Sequence, residues 1–114
     1  MKIINKTKNT VLAEEAIVAD RCCSRVIGLL GKASLPKGQA LVLKPCNSVH
    51  TFFMRFAIDV IFVDRNNRII ETVSSLKPWR LSSVYLLAQS CIELPAGTIA
   101  SSFSSPGDLL FLEQ

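Results

Sequence analysis

Residues 58–74 constrain the fold more than any other stretch of this chain. Ile58–Asp64 is an apolar run, Asp64-Arg65-Asn66-Asn67 follows it, and Arg68–Ser74 returns with Ile69, Glu71 and Val73 alternating against Ile70 and Thr72. Asn and Asp tolerate the positive φ that tight hairpin turns require, so the stretch reads as two antiparallel strands. Other short runs have the same character. Residues 1–7 and 11–19 read as two strands joined through Lys8-Asn9-Thr10, the second interrupted in its alternation by Glu14 and Glu15. Gln39–Leu43 ends at Pro45, Val49–Phe53 precedes a bend at Met54–Ala57, and Cys91–Leu94 stops at Pro95. Leu109–Leu112 follows the turn Ser105-Pro106-Gly107-Asp108, while Val84–Leu87 reads as strand or long loop. About eight short strands at regular spacing predict a mainly β fold, a β-sandwich or partly closed barrel, in one domain over residues 1–114.

One helix is expected near residues 20–31. Asp20 is a good N-cap, Cys22, Cys23, Val26, Ile27 and Leu30 share one helical face, and Gly31 suits the stop. Arg21 and Arg25 project from the other side. Thr98 is expected to cap a single helical turn running through Phe103.

Charge and cysteine usage narrow the setting. The net charge of +4 comes from 13 basic and 9 acidic residues spread along the chain. Nucleic-acid binding needs basic residues gathered on one face, and the Lys2, Lys6 and Lys8 group reads more simply as the solvated side of an edge strand. No apolar leader or membrane segment is visible, and Cys22, Cys23, Cys46 and Cys91 do not space like a secreted disulfide framework. A cytoplasmic location with free thiols is expected. So are a monomer or weak dimer and no cofactor, because one histidine and unpaired cysteine spacings do not make a metal site.

The stretch VHTFFMRFAIDVIFVD, residues 49–64, holds the only histidine and four of the six phenylalanines. Asp59 falls there among apolar neighbours, so its carboxylate needs partners; Arg55, His50 and, across from the helix, Arg25 are the candidates. This stretch resembles the hallmark of the bacterial and archaeal family known as domain of unknown function 192. RVIGLLGKASLP upstream, and LKPWR, IELPAGT and Pro106-Gly107-Asp108 downstream, resemble its other landmarks in the same order. Leu30, Lys32 and Ala57 depart from the family's usual Met, Arg and Pro. The resemblance implies a small β-sandwich-like fold with one helix and brings no established activity. The resemblance also implies that many relatives are exported; with no leader visible in this sequence, exported localisation is not expected to carry over.

Three functional readings remain open. The first is a binding module for a small anionic or sugar-like ligand or a partner segment. Phe52, Phe53, Phe56 and Trp79 would form the walls of a pocket near 49–59 and the 77–80 loop, with His50, Arg55, Arg80 and Arg25 as anchors. The second is an assembly adaptor that uses the exposed-looking Val84–Leu87 segment. The third, with less support, is a hydrolase in which Cys46 is the nucleophile, His50 its base and Asp59 the orienting group. Beside all three stands the plain alternative, in which His50 and Asp59 are scaffold.

Overall fold

Side chains on a strand alternate between two faces, and in the strand Ile58–Val63 every residue is buried. A strand covered on both sides must lie inside a layered sheet, and the structure, a computed structural model, bears this out. It describes residues 1–19 and 34–114. The helix expected near residues 20–31, with Arg25, Cys22 and Cys23, lies outside the described residues.

Among the described residues, eight strands and one short helix follow in order: β1 (Lys2–Asn5), β2 (Thr10–Ala13), β3 (Glu15–Ala19), β4 (Gln39–Leu43), β5 (Ile58–Val63), β6 (Ile69–Leu76), β7 (Ser90–Pro95), α1 (Thr98–Ser102) and β8 (Leu110–Glu113). They form two sheets, β2-β1-β8 and β3-β4-β7-β5-β6, and no closed barrel. The fold is the sandwich of the two expected forms. All pairings are antiparallel except β3 with β4, which runs parallel and in register from Glu15 opposite Gln39 to Ala19 opposite Leu43.

The larger sheet has a core on each face. Ile61, Val63, Ile92 and Leu94 face the smaller sheet and pack with Ile3, Leu12, Leu110 and Ile99 of α1. Ile58, Val60, Phe62 and Cys91 point the other way and pack under Leu35, Val49 and Met54.

Two expected elements change. The single strand over 11–19 is two strands in different sheets. At Glu14 the chain leaves the small sheet for the large one, with the N–H groups of Glu14 and Glu15 both donating to the Gly38 carbonyl (2.9 and 3.0 Å). The paired glutamates that spoil the alternation mark that crossing. Val49–Phe53 is not a ladder strand, whereas Val84–Leu87 takes the loop of its two expected forms, and the reason for both lies in the pairing of their segments with each other, described below.

A polar cluster ties the ends of the small sheet together. Buried Asp108 accepts from Asn5 Nδ2 (2.9 Å), Lys8 Nζ (3.0 Å) and the Ser105 N–H (3.1 Å). Burial alone would raise this carboxyl, but the bonds from Asn5, Lys8 and Ser105 and the Lys8 charge outweigh it and hold it below its ordinary value. The ionised form therefore adds stability that is complete above about pH 3.9, the unfolded value, and is lost as pH falls through the folded one. Asp108→Asn is expected to be less stable than wild type at neutral pH and to lose less of its stability on acidification below about pH 4. Urea midpoints at neutral and acid pH test this; parallel acid losses in the two proteins would refute it.

Candidate functional site

Thr51 organises the exposed end of the molecule. Its buried side chain donates to the Lys77 carbonyl (2.5 Å) and accepts from the Arg80 N–H (2.9 Å). Its own N–H donates to the Arg80 carbonyl, and its carbonyl accepts from Trp79 (both 2.9 Å). The pairing continues as Ser82 donates to Val49, Tyr85 to Asn47 and Cys46 to Gln89. Only the His50–Leu81 contact is a regular β-bridge. Segments 46–54 and 79–89 thus satisfy much of each other's backbone without joining either sheet. They form an irregular layer over the second core, with Val49 and Met54 turned inward and Tyr85 against the Phe62 ring (4.5 Å between centroids).

The outer side of this layer carries a run of rings. His50 stacks on Phe52 at 5.0 Å, Phe52 lies 6.2 Å from Trp79, and Trp79 meets Phe53 at 4.6 Å with a tilt of 58°. Phe53 is 65% exposed and Trp79 56%, and Arg55, just past the first segment in sequence, and Arg80, within the second, are exposed as well. Both Phe53 (φ 68°) and Trp79 (φ 65°) lie in the left-handed region. For bulky residues that backbone is an outlier, costing on the order of 1–3 kcal/mol, and such strain gathers at functional surfaces. Phe53→Gly is expected to exceed Phe53→Ala in stability by about 1 kcal/mol, the reverse of the order where φ is negative. Denaturation of the two variants side by side measures this, and equal stabilities would remove the strain.

Asp59 has a different role. Its Oδ1 accepts from the Ser75 N–H (2.8 Å), and its Oδ2 accepts from Gly97 (3.1 Å) and Ile99 (2.8 Å). The expected partners Arg55 and His50 are replaced by backbone amides. This also corrects the expected cap of α1. Gly97 holds the N-cap position with φ 98°, Thr98 Oγ1 donates to the Pro95 carbonyl, and a carboxylate from β5 serves the free amides instead.

The members of the nucleophilic reading are similarly engaged one by one. Cys46 Sγ donates to the Ser48 carbonyl (3.1 Å), and His50 Nδ1 accepts from the Phe52 N–H (3.3 Å). Among the described residues no three His, Cys, Asp or Glu groups gather as a metal would need. Of the expected ligand-binding set, the structure links His50 to Trp79 through the Phe52 ring and holds the Arg80 backbone on Thr51, while Arg55 is exposed two residues beyond Phe53. Phe56 is half-buried against the second core, and Arg25 lies outside the described residues.

Two cavities are not lined by the exposed rings. One of about 200 Å³ is lined by Val11–Glu14, Lys37 and Thr98, and one of about 250 Å³ by Pro45, Cys46, Asn47 and Ala88. Sequence reasoning passed over Thr51 and Glu93. Glu93 is buried in β7 between Leu41 of β4 and Val60 of β5. The signal for it was available, since in CIEL the glutamate shares a face with Cys91 just as Asp59 shares one with Ile61.

The profile of the DUF192 family, described as "Uncharacterized ACR", matches residues 3–112. The chain belongs to the DUF192 family. It is 36% identical over 111 residues to a UPF0127 protein of Pyrococcus horikoshii, covering 93% of this chain and 94% of that one. A solved structure of a protein of unknown function from Novosphingobium aromaticivorans superposes with a TM-score of 0.83 at 16% identity, covering 98% of this chain and 84% of the other. A Sinorhizobium meliloti protein described as a candidate transcription regulator superposes with a TM-score of 0.80, also at 16% identity, covering 96% and 89%. These two likenesses show the fold alone. Among the described residues no helix is long and apolar enough to cross a membrane.

The DUF192 landmarks now divide into two kinds. Asp59 of the hallmark binds Gly97 and Ile99 in and beside LPAGT, and Asp108 of the Pro-Gly-Asp turn binds β1, so these landmarks hold the scaffold. His50-Thr51-Phe52-Phe53 and Lys77-Pro78-Trp79-Arg80 meet each other and leave their rings in solvent.

Proposed function

We propose that this DUF192 domain is a binding module that takes a small anionic or sugar-like ligand on the surface formed by His50, Phe52, Phe53 and Trp79. Arg55 and Arg80 anchor its charge. The observation that carries the reading is the pair Phe53 and Trp79. Two large aromatic residues are held in solvent, against each other, on strained backbones that Thr51 fixes in place. A core-filling role would turn such rings inward, as it does Phe62. Exposed ring faces suit stacking with a sugar ring, and guanidinium groups suit carboxylate or phosphate. The hydrolase reading has less behind it, because Cys46, His50 and Asp59 each answer to a separate local partner.

Trp79 is the only tryptophan in the chain, so its emission reports on this surface alone. Titration with an anionic saccharide such as glucuronate is expected to change that emission saturably. A neutral sugar is expected to bind more weakly, and Arg80→Ala to weaken the anionic ligand about tenfold, the worth of one charge-assisted hydrogen bond. No saturable change with either sugar up to millimolar concentration would sink the proposal. An adaptor role is a second reading, resting on the exposure of Val84, Leu86 and Leu87 in the same layer.

A further inference from the structure

The layer that carries the aromatic surface has an unusual charge distribution. The layer together with its flanking residues, 44–58 and 72–92, contains no aspartate or glutamate at all. These two segments do contain Lys44, Arg55, Lys77 and Arg80, all exposed, together with His50. Of the acids that adjoin these segments in sequence, Asp59 and Glu93 are buried and Glu71 is half-buried, its carboxylate accepting from the Thr72 N–H. The same two segments hold seven of the twelve exposed large hydrophobic residues among the described residues: Phe52, Phe53, Trp79, Leu81, Val84, Leu86 and Leu87. Leu86 is 84% exposed and Leu87 81%, side by side in a loop held from beneath by Tyr85. Consecutive leucines offered to water serve no small polar ligand. A monomeric surface rarely carries so much apolar area unless something covers it.

We infer that this layer docks on the surface of an anionic lipid bilayer. Leu86 and Leu87 enter the boundary between headgroups and acyl chains, Trp79 and Phe53 lie at headgroup level, and the four cations meet the phosphates. The inference rests on the binding-surface reading and names its partner. Charge complementarity carries it. Exposed apolar and aromatic side chains set among basic residues, in segments that hold no acid of their own, match a surface that is anionic outside and apolar within. A second copy of this chain fits less well, because a two-fold contact through this layer would oppose like charges with no exposed acid of the layer to pair them.

The test uses the full chain with vesicles of phosphatidylcholine, alone or mixed with phosphatidylglycerol, followed by co-sedimentation and Trp79 emission. Binding is expected only to the mixed vesicles, with a blue shift of Trp79, and is expected to weaken as salt rises from about 0.1 to about 0.5 M. The double variant Leu86→Asp, Leu87→Asp should fold normally, since both side chains are exposed, and should lose binding by at least about tenfold. Unchanged binding by that variant would overturn the inference, as would equal binding to neutral vesicles. A dimer that the variant dissociates, without vesicle binding, would give the face to a second copy and overturn it too. Saturable binding of glucuronate with no vesicle binding would leave the proposed function standing and remove the membrane. Failure of both ligands would remove both.

Discussion

Asp59→Ala is expected to cost about 4 kcal/mol, close to the whole stability of a marginal domain. The carboxylate receives three backbone N–H groups, from Ser75, Gly97 and Ile99, at 2.8–3.1 Å, and is itself fully buried. A hydrogen bond to a charged group contributes about 1.5–3 kcal/mol, and each buried amide left without an acceptor costs about 1–3 kcal/mol more, so even strongly non-additive losses sum to several kcal/mol. Asp59→Asn should fall between, because one oxygen remains while the amide NH2 faces donors. Urea denaturation of the three proteins gives the ranking. A loss under about 1 kcal/mol for alanine would mean that the carboxylate is not scaffold and would return it to the list of chemical groups.

Phe62→Ala is expected to cost about 3–5 kcal/mol, the range for deleting a buried aromatic from a packed core. Phe62 has no exposed surface, sits with Ile58 and Val60 on one face of β5, and supports the Tyr85 ring at 4.5 Å. Its loss should therefore also loosen the outer layer. The amide of Tyr85, which donates to Asn47, should exchange with solvent faster relative to amides of the small sheet. Ile61→Ala, on the opposite face, should cost about 2–5 kcal/mol and leave that ratio unchanged. If both variants speed Tyr85 exchange equally, the two cores are not separate supports.

The hairpin at 58–76, the break at Pro45, the short helix after Pro95 and the last strand were all legible in the sequence. Each is marked by local chemistry: Asp64 accepting from Asn66 and Arg68 in the turn, or glycine and proline where the backbone must bend. The errors fall where non-local pairing overrides local pattern. VHTFF alternates like a strand, but Thr51 binds the loop around Lys77 and Arg80, and no spacing rule reveals a partner about 30 residues away. Asp59 was visible as an acid on an apolar face. Its partners were not, because backbone amides carry no signature in the sequence. The aromatic surface was legible in its residues and not in its geometry, since nothing in FF or PW announces a left-handed backbone.

The order of strands in the larger sheet also bears on how the chain reaches this state. β5 and β6 are joined by a tight turn and can pair at once, whereas β4 and β5 meet only through β7, which comes about 30 residues after β5 in the sequence and lies between them. Until β7 inserts, each carries an open edge of unpaired amides and carbonyls beside apolar side chains. Folding should then be limited by a late, long-range closure, and its intermediate should be the species most prone to aggregate. A destabilising change in β7, such as Ile92→Val, should slow folding more than an equally destabilising change in the 64–67 turn if that closure is the barrier.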